Sequence, residues 1–161
     1  DTPGHVQYTR NMATGASVCD VAVVLIDARK GLLAQTRRHT FIAHMLGIQE
    51  FVLAVNKMDL CEYERPVFEA IAADYRRFTA QFPDVRVMAI PLAAVSGDNV
   101  CTPSPNMPWY DGATLVETLE AISVRTADPD KPFRMPVQWV NRAQGLRGYA
   151  RRKRRTLGSE V

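Results

Sequence analysis

The sequence predicts an open α/β sheet, mostly parallel, with helices on both faces. Two observations carry this. Residues 21–26, 50–55 and 86–92 are short apolar runs rich in β-branched residues, the composition of strands covered on both faces. Between them lie longer stretches with apolar residues at helical spacing, the alternation that parallel crossover units require. With 161 residues, 47% apolar and 23% charged, the chain has the mixture and size of one globular domain, or of one domain and part of another.

Residues 1–4 read as a loop, since Pro3 and Gly4 favour turns. A short helix is expected over 6–13 and the first strand over 21–26. Residues 34–46 follow as a helix with Phe41, Ile42, Met45 and Leu46 on one face and Gly47 as its stop. The second strand is 50–55. A longer helix over 66–82 has Pro66 in its first turn and Val67, Phe68, Ile71, Tyr75 and Phe78 as its inner stripe. The third strand is 86–92, and after a long loop 114–122 forms a short amphipathic helix. The Pro- and Asp-rich stretch 127–132 reads as a linker. Domains are thus expected at 1–126 and 133–161, the second too short to bury a core.

Ligands bind such sheets at the loops after the carboxyl ends of strands, here the loops after Val55 and Leu92 together with residues 1–5. No apolar run approaches the ~20 residues of a membrane span, and no leader peptide is expected from DTPGHVQYTR. Cys19, Cys61 and Cys101 are too few and too scattered for a disulfide framework or a CxxC metal site, which suits a reducing, cytoplasmic setting. The net charge is +3, but residues 151–161 alone carry +4 and the first 150 carry −1. A near-neutral body offers no nucleic-acid footprint, and the basic cluster reads as a solvated tail.

Asn56-Lys57-Met58-Asp59 directly follows the second strand. A carboxylate accepts only, so Asp59 can take two hydrogen bonds from guanine N1–H and the exocyclic amine. Adenine offers an acceptor at N1 and no amine. The Lys57 stem can lie against the base plane, and the Asn56 amide can tie the base to neighbouring loops. Asp1-Thr-Pro-Gly4 is a DxxG sequence: an Asp can hold magnesium through water, and a Gly lets its N–H approach a terminal phosphate. The 51 residues between Gly4 and Asn56 are what two loops on one sheet edge need. His5 would then lie beside the γ-phosphate, where an imidazole can orient the attacking water. The small-residue loop at Ala93 and Ala94 can present a backbone N–H to guanine O6. His39 and His44 are five apart, wrong for helical metal ligands, and read as surface or packing residues, while Cys19, at the entrance to a buried strand, reads as inert. Residues 106–110 (NMPWY) read as an aromatic loop packed on the domain.

DTPGH, NKMD and the loop after the third strand resemble the third, fourth and fifth motifs of translation-factor-type GTPases. TRNMATGAS (9–17), IDARKGLLAQTRRH (26–39), GDNV (97–100) and NMPWYDGATLVETLE (106–120) are similar to the GTP-binding large subunit of bacterial sulfate adenylyltransferase. MPVQWVNR (135–142) and RGYA (147–150) resemble the start of that family's β-barrel domain. The resemblance covers about residues 1–150. It implies a P-loop-GTPase-like sheet, N-terminally truncated and followed by the start of a β-barrel. It implies GTP and Mg2+ as cofactors, with Asp1 serving magnesium, Gly4 the γ-phosphate, His5 the water, and Asn56, Lys57, Asp59, Ala93 and Ala94 the base. It also implies a partner: the small catalytic subunit, which makes adenylylsulfate and pyrophosphate from ATP and sulfate while GTP hydrolysis drives it. Some members carry a fused adenylylsulfate kinase domain.

Three features depart from that pattern. No P-loop GxxxxGK[ST] occurs in the 161 residues, Ala93 stands where the fifth motif usually has Ser, and RRKRRTLGSEV is not the family's barrel continuation. The chain therefore reads as a partial one, expected to hold GTP weakly by itself. Two other readings stand beside this one: an elongation factor of the Tu type delivering aminoacyl-tRNA, and an inert partial product. QTRRH and MPVQWVNR favour the sulfate adenylyltransferase reading over the first.

Overall fold

The structure is a computed structural model that describes residues 12, 15, 16 and 19–123. The helix expected over 6–13, the linker at 127–132 and the barrel start at 133–161 lie outside the described residues. Three strands, β1 (Val21–Asp27), β2 (Glu50–Asn56) and β3 (Arg86–Pro91), alternate with helices α1 (Ala34–Met45), α2 (Arg65–Thr79) and α3 (Leu115–Ala121). The strands form one parallel sheet in the order β1-β2-β3. The expected open α/β sheet is the observed one.

β2 is central because its residues are apolar on both faces. Phe51 to Val55 are wholly buried, each large side chain contributing roughly 1.5–3 kcal/mol on burial. Leu53 and Val55 pack on Phe68, Ile71, Ala72 and Tyr75 of α2. Phe51 packs with Ala43 of α1 and Ile48. On the opposite face Val52 and Ala54 join Ile90 and Leu92, with Leu115 of α3 against them. Period-two alternation thus sends successive β2 residues to helices on opposite sides.

α2 turns Phe68, Ile71 and Tyr75 of the expected stripe fully inward, while Val67 and Phe78 are half-buried and Thr79 closes the helix instead of Phe82. α1 departs from expectation. Thr40 and Ala43 are its buried residues, while Phe41, Met45 and Leu46 are exposed. Small side chains allow α1 to approach the sheet closely, and the Thr40 hydroxyl is satisfied there. It donates to the Thr36 carbonyl at 2.9 Å and lies 3.0 Å from the buried Tyr75 hydroxyl. Phe41 packs outside, 6.0 Å from the Phe82 ring. α3 begins with a capping box in which the Thr114 hydroxyl accepts from the Glu117 N–H.

The carboxyl ends of the strands are stitched together beyond the ladder. Ala28 N–H donates to the Asn56 carbonyl (2.9 Å), Leu92 N–H to the Val55 carbonyl (2.8 Å), and Met58 N–H to the Leu92 carbonyl (3.0 Å). This edge carries the loops of interest.

Candidate nucleotide-binding site

Asn56 is the last residue of β2, and register places it opposite Asp27. Its side-chain Oδ1 accepts from two backbone donors, the Lys57 N–H at 2.7 Å and the Ala94 N–H at 3.0 Å. That fixes the amide between two loops and leaves its NH2 without a partner among the described residues. Lys57 has φ 66°, in the left-handed region, which costs a non-glycine residue about 1 kcal/mol. The chain leaves the strand there and enters a short 3-10 turn, Met58–Cys61, pinned by the fully buried Met58. Asp59 sits half-buried in this turn, and no described residue donates a hydrogen bond to its carboxylate. A free carboxylate and a free amide NH2 on one loop offer a donor–acceptor set that a guanine edge can complement.

The Lys57 ammonium is held by Asp27, with Nζ 2.9 Å from Oδ2. Asp27 also accepts from the Arg29 backbone N–H (3.0 Å), Nε (3.0 Å) and Nη2 (2.6 Å). These bonds, Arg29's first and then Lys57's, hold the carboxyl far below the usual carboxylate range despite its partial burial. Sequence reasoning did not single out Asp27 as a site residue. The signal lay in register, because a strand ending in Asp alongside one ending in Asn puts both side chains on one edge.

The loop after β3 is compact. Ala93 is buried, and its carbonyl accepts from the Gly97 N–H (2.9 Å) and the Asp98 N–H (3.1 Å). Ala94, expected to offer its N–H to guanine O6, directs it to Asn56 instead. Ala93 has no hydroxyl, and the loop is braced by Asp98. The buried Asp98 carboxylate accepts from Ser104 Oγ (2.6 Å), Tyr63 Oη (3.2 Å), Asn106 Nδ2 (3.4 Å) and the Ser96 hydroxyl. Ser104 first, then Ser96, holds its carboxyl below the ordinary carboxylate range. Asn99 completes the brace, donating from Nδ2 to the Pro91 carbonyl and accepting from the Ser104 N–H.

The NMPWY loop packs as expected. Met107 is buried in the core, the Trp109 ring lies 5.6 Å from Phe68, and its Nε1 donates to the Tyr63 carbonyl at 3.0 Å. His39 contacts Gln35, and His44 stacks on Phe82 at 4.8 Å. Cys19 is exposed, its thiol 3.1 Å from the Gly15 carbonyl. Asp1, Gly4 and His5 lie outside the described residues. No helix among the described residues is long and apolar enough to cross a membrane.

A parallel sheet with polar loops gathered at the carboxyl ends of its strands has the form of a nucleotide-binding α/β domain. Residues 1–125 match the family model of the elongation factor Tu GTP-binding domain, and the chain belongs to that family. It is 58% identical over 152 residues to sulfate adenylyltransferase subunit 1 of Yersinia enterocolitica and 55% identical to that of Cronobacter sakazakii. Each match covers 93% of this chain and 32% of the relative. The chain thus spans about a third of the length of these curated relatives. Among solved structures it is similar to Sup35 complexed with GDP, at TM-score 0.60 and 29% identity. That match covers 68% of this chain and 31% of the other.

Proposed function

We propose that this chain is the base-reading part of the GTP-binding, GTP-hydrolysing subunit of a cytoplasmic sulfate adenylyltransferase. One observation carries the guanine assignment: the half-buried Asp59 carboxylate and the Asn56 NH2, on the same loop, are both without partners among the described residues. The likeness to sulfate adenylyltransferase subunit 1 supports the enzyme assignment. In this reading the small catalytic subunit is the partner, forming adenylylsulfate from ATP and sulfate for sulfate assimilation and cysteine synthesis. GTP is bound with Mg2+, which supplies charge neutralisation at the phosphates. Asp1 would hold the ion through water, Gly4 would meet the γ-phosphate, and His5 would orient the water. Asn56, Lys57 and Asp59 read the base, and the Ala93–Ala94 loop supports Asn56. An elongation-factor role is the weaker reading, since the relatives at 55–58% identity are sulfate adenylyltransferase subunits.

The test is Asp59→Asn in the intact protein. GTP affinity should fall by about 10- to 100-fold, as two charge-assisted hydrogen bonds are lost. Xanthosine triphosphate should become the better ligand, because its C2 oxygen accepts from the new amide. Calorimetry with both nucleotides decides it, and unchanged GTP affinity refutes the assignment of this loop.

A further inference from the structure

The proposed role of Lys57 requires its stem to lie across the base, and a lysine at a strand end has many other rotamers. In this fold both ends of the residue are tied. Its N–H is bound to Asn56 Oδ1 at 2.7 Å, and its Nζ to Asp27 Oδ2 at 2.9 Å. Asp27 is in turn locked by the Arg29 fork and backbone N–H. Its side chain is only 15% exposed, against 45% for Lys57 and 46% for Arg29. The fixed member of the cluster is therefore the carboxylate, and the exposed members are the cations.

We propose that Asp27 is a positioning residue for guanine recognition: from the end of β1 it holds the Lys57 ammonium so that the lysine's aliphatic stem spans the base site. This rests on the guanine reading above. An ion pair this exposed adds little to stability, so its effect belongs in affinity. In this proposal the carboxylate acts through Lys57, to which it is bound.

A double-mutant cycle in the intact protein tests this, with GTP affinity measured by calorimetry for the wild type, Asp27→Asn, Lys57→Met and the double variant. Met keeps an unbranched apolar stem and removes the ammonium. Asp27→Asn alone should weaken GTP by about 3- to 10-fold, the worth of one charge-assisted bond. In the Lys57→Met background the same change should cost less than about 2-fold, since additivity fails only for residues that act together. Thermal midpoints should stay close to wild type throughout. Equal losses in both backgrounds overturn the proposal, because Asp27 would then act through β1 or Arg29. Tighter binding by Asp27→Asn also overturns it, because the carboxylate would be competing with the nucleotide for Lys57. A wild-type protein that prefers ATP to GTP fails the guanine reading itself, and this proposal with it, whatever the variants do.

Discussion

Residue by residue, the candidate site is a set of polar atoms left open beside others already satisfied. Among the described residues, Asn56 Oδ1 has two donors while its NH2 has no partner, and Asp59 has no donor while Asp27 has four. Ligands complete what the fold leaves incomplete, since each unmade bond on a half-buried group costs more than a made one returns. The hydrolytic residue is a separate matter. If His5 orients the attacking water, His5→Ala in the intact protein should lower GTP turnover by about 10- to 1,000-fold. It should leave GTP affinity nearly unchanged, because base contacts do not involve it. Parallel assays of affinity, turnover and pyrophosphate release check this. A large loss of affinity would make His5 a structural residue instead.

At the scale of elements, the loop after β3 depends on a single buried anion. Asp98 gathers donors from Tyr63, Ser96, Ser104 and Asn106, so it joins the segment just after the 3-10 turn, its own loop and the segment leading to Trp109. Its carboxyl is held below the ordinary carboxylate value of about 3.9. A depressed folded pKa means stability that is complete above the unfolded value and is lost as pH falls through the folded one. Asp98→Asn should cost about 1–3 kcal/mol at pH 7, because a neutral amide cannot serve four donors. The gap between wild type and variant should narrow as pH drops below about 4. Thermal melts at pH 7 and pH 3 test this, and an equal gap at both would refute it. This brace was half legible in the sequence. GDN announced a turn, but the gathering of Tyr63 and Ser104 on Asp98 depends on loops that meet only in the fold. Helix α1 shows the opposite failure. Its large residues suggested an inward face, whereas the sheet took Thr40 and Ala43 because small residues permit the closer approach.

For the molecule as a whole, the three strand runs were legible because parallel strands buried on both faces must be apolar throughout. NKMD was legible because it sits at the end of such a run. Asp27 was not, because its partner Lys57 is 30 residues away and only register brings them together. The same centrality makes β2 the point of greatest sensitivity. Phe51 is fully buried between Ala43, Ile48 and the sheet. Phe51→Ala should remove about 3–5 kcal/mol, read as a lower urea midpoint with little change in slope. A loss under about 1 kcal/mol would mean that the surrounding residues collapse into the space.

The tether between Ala94 and Asn56 has a consequence for the timing of entropy loss. Immobilising a side chain on binding costs roughly 0.5–1.5 kcal/mol. Asn56 is already held by Lys57 and Ala94, so that freedom disappears when the chain folds and not when the base arrives. The amide's oxygen and nitrogen cannot exchange places, because both neighbouring groups are donors and only the oxygen can face them. In the proposed guanine reading, preorganisation of this kind would sharpen the choice of base without a closing movement of this side chain.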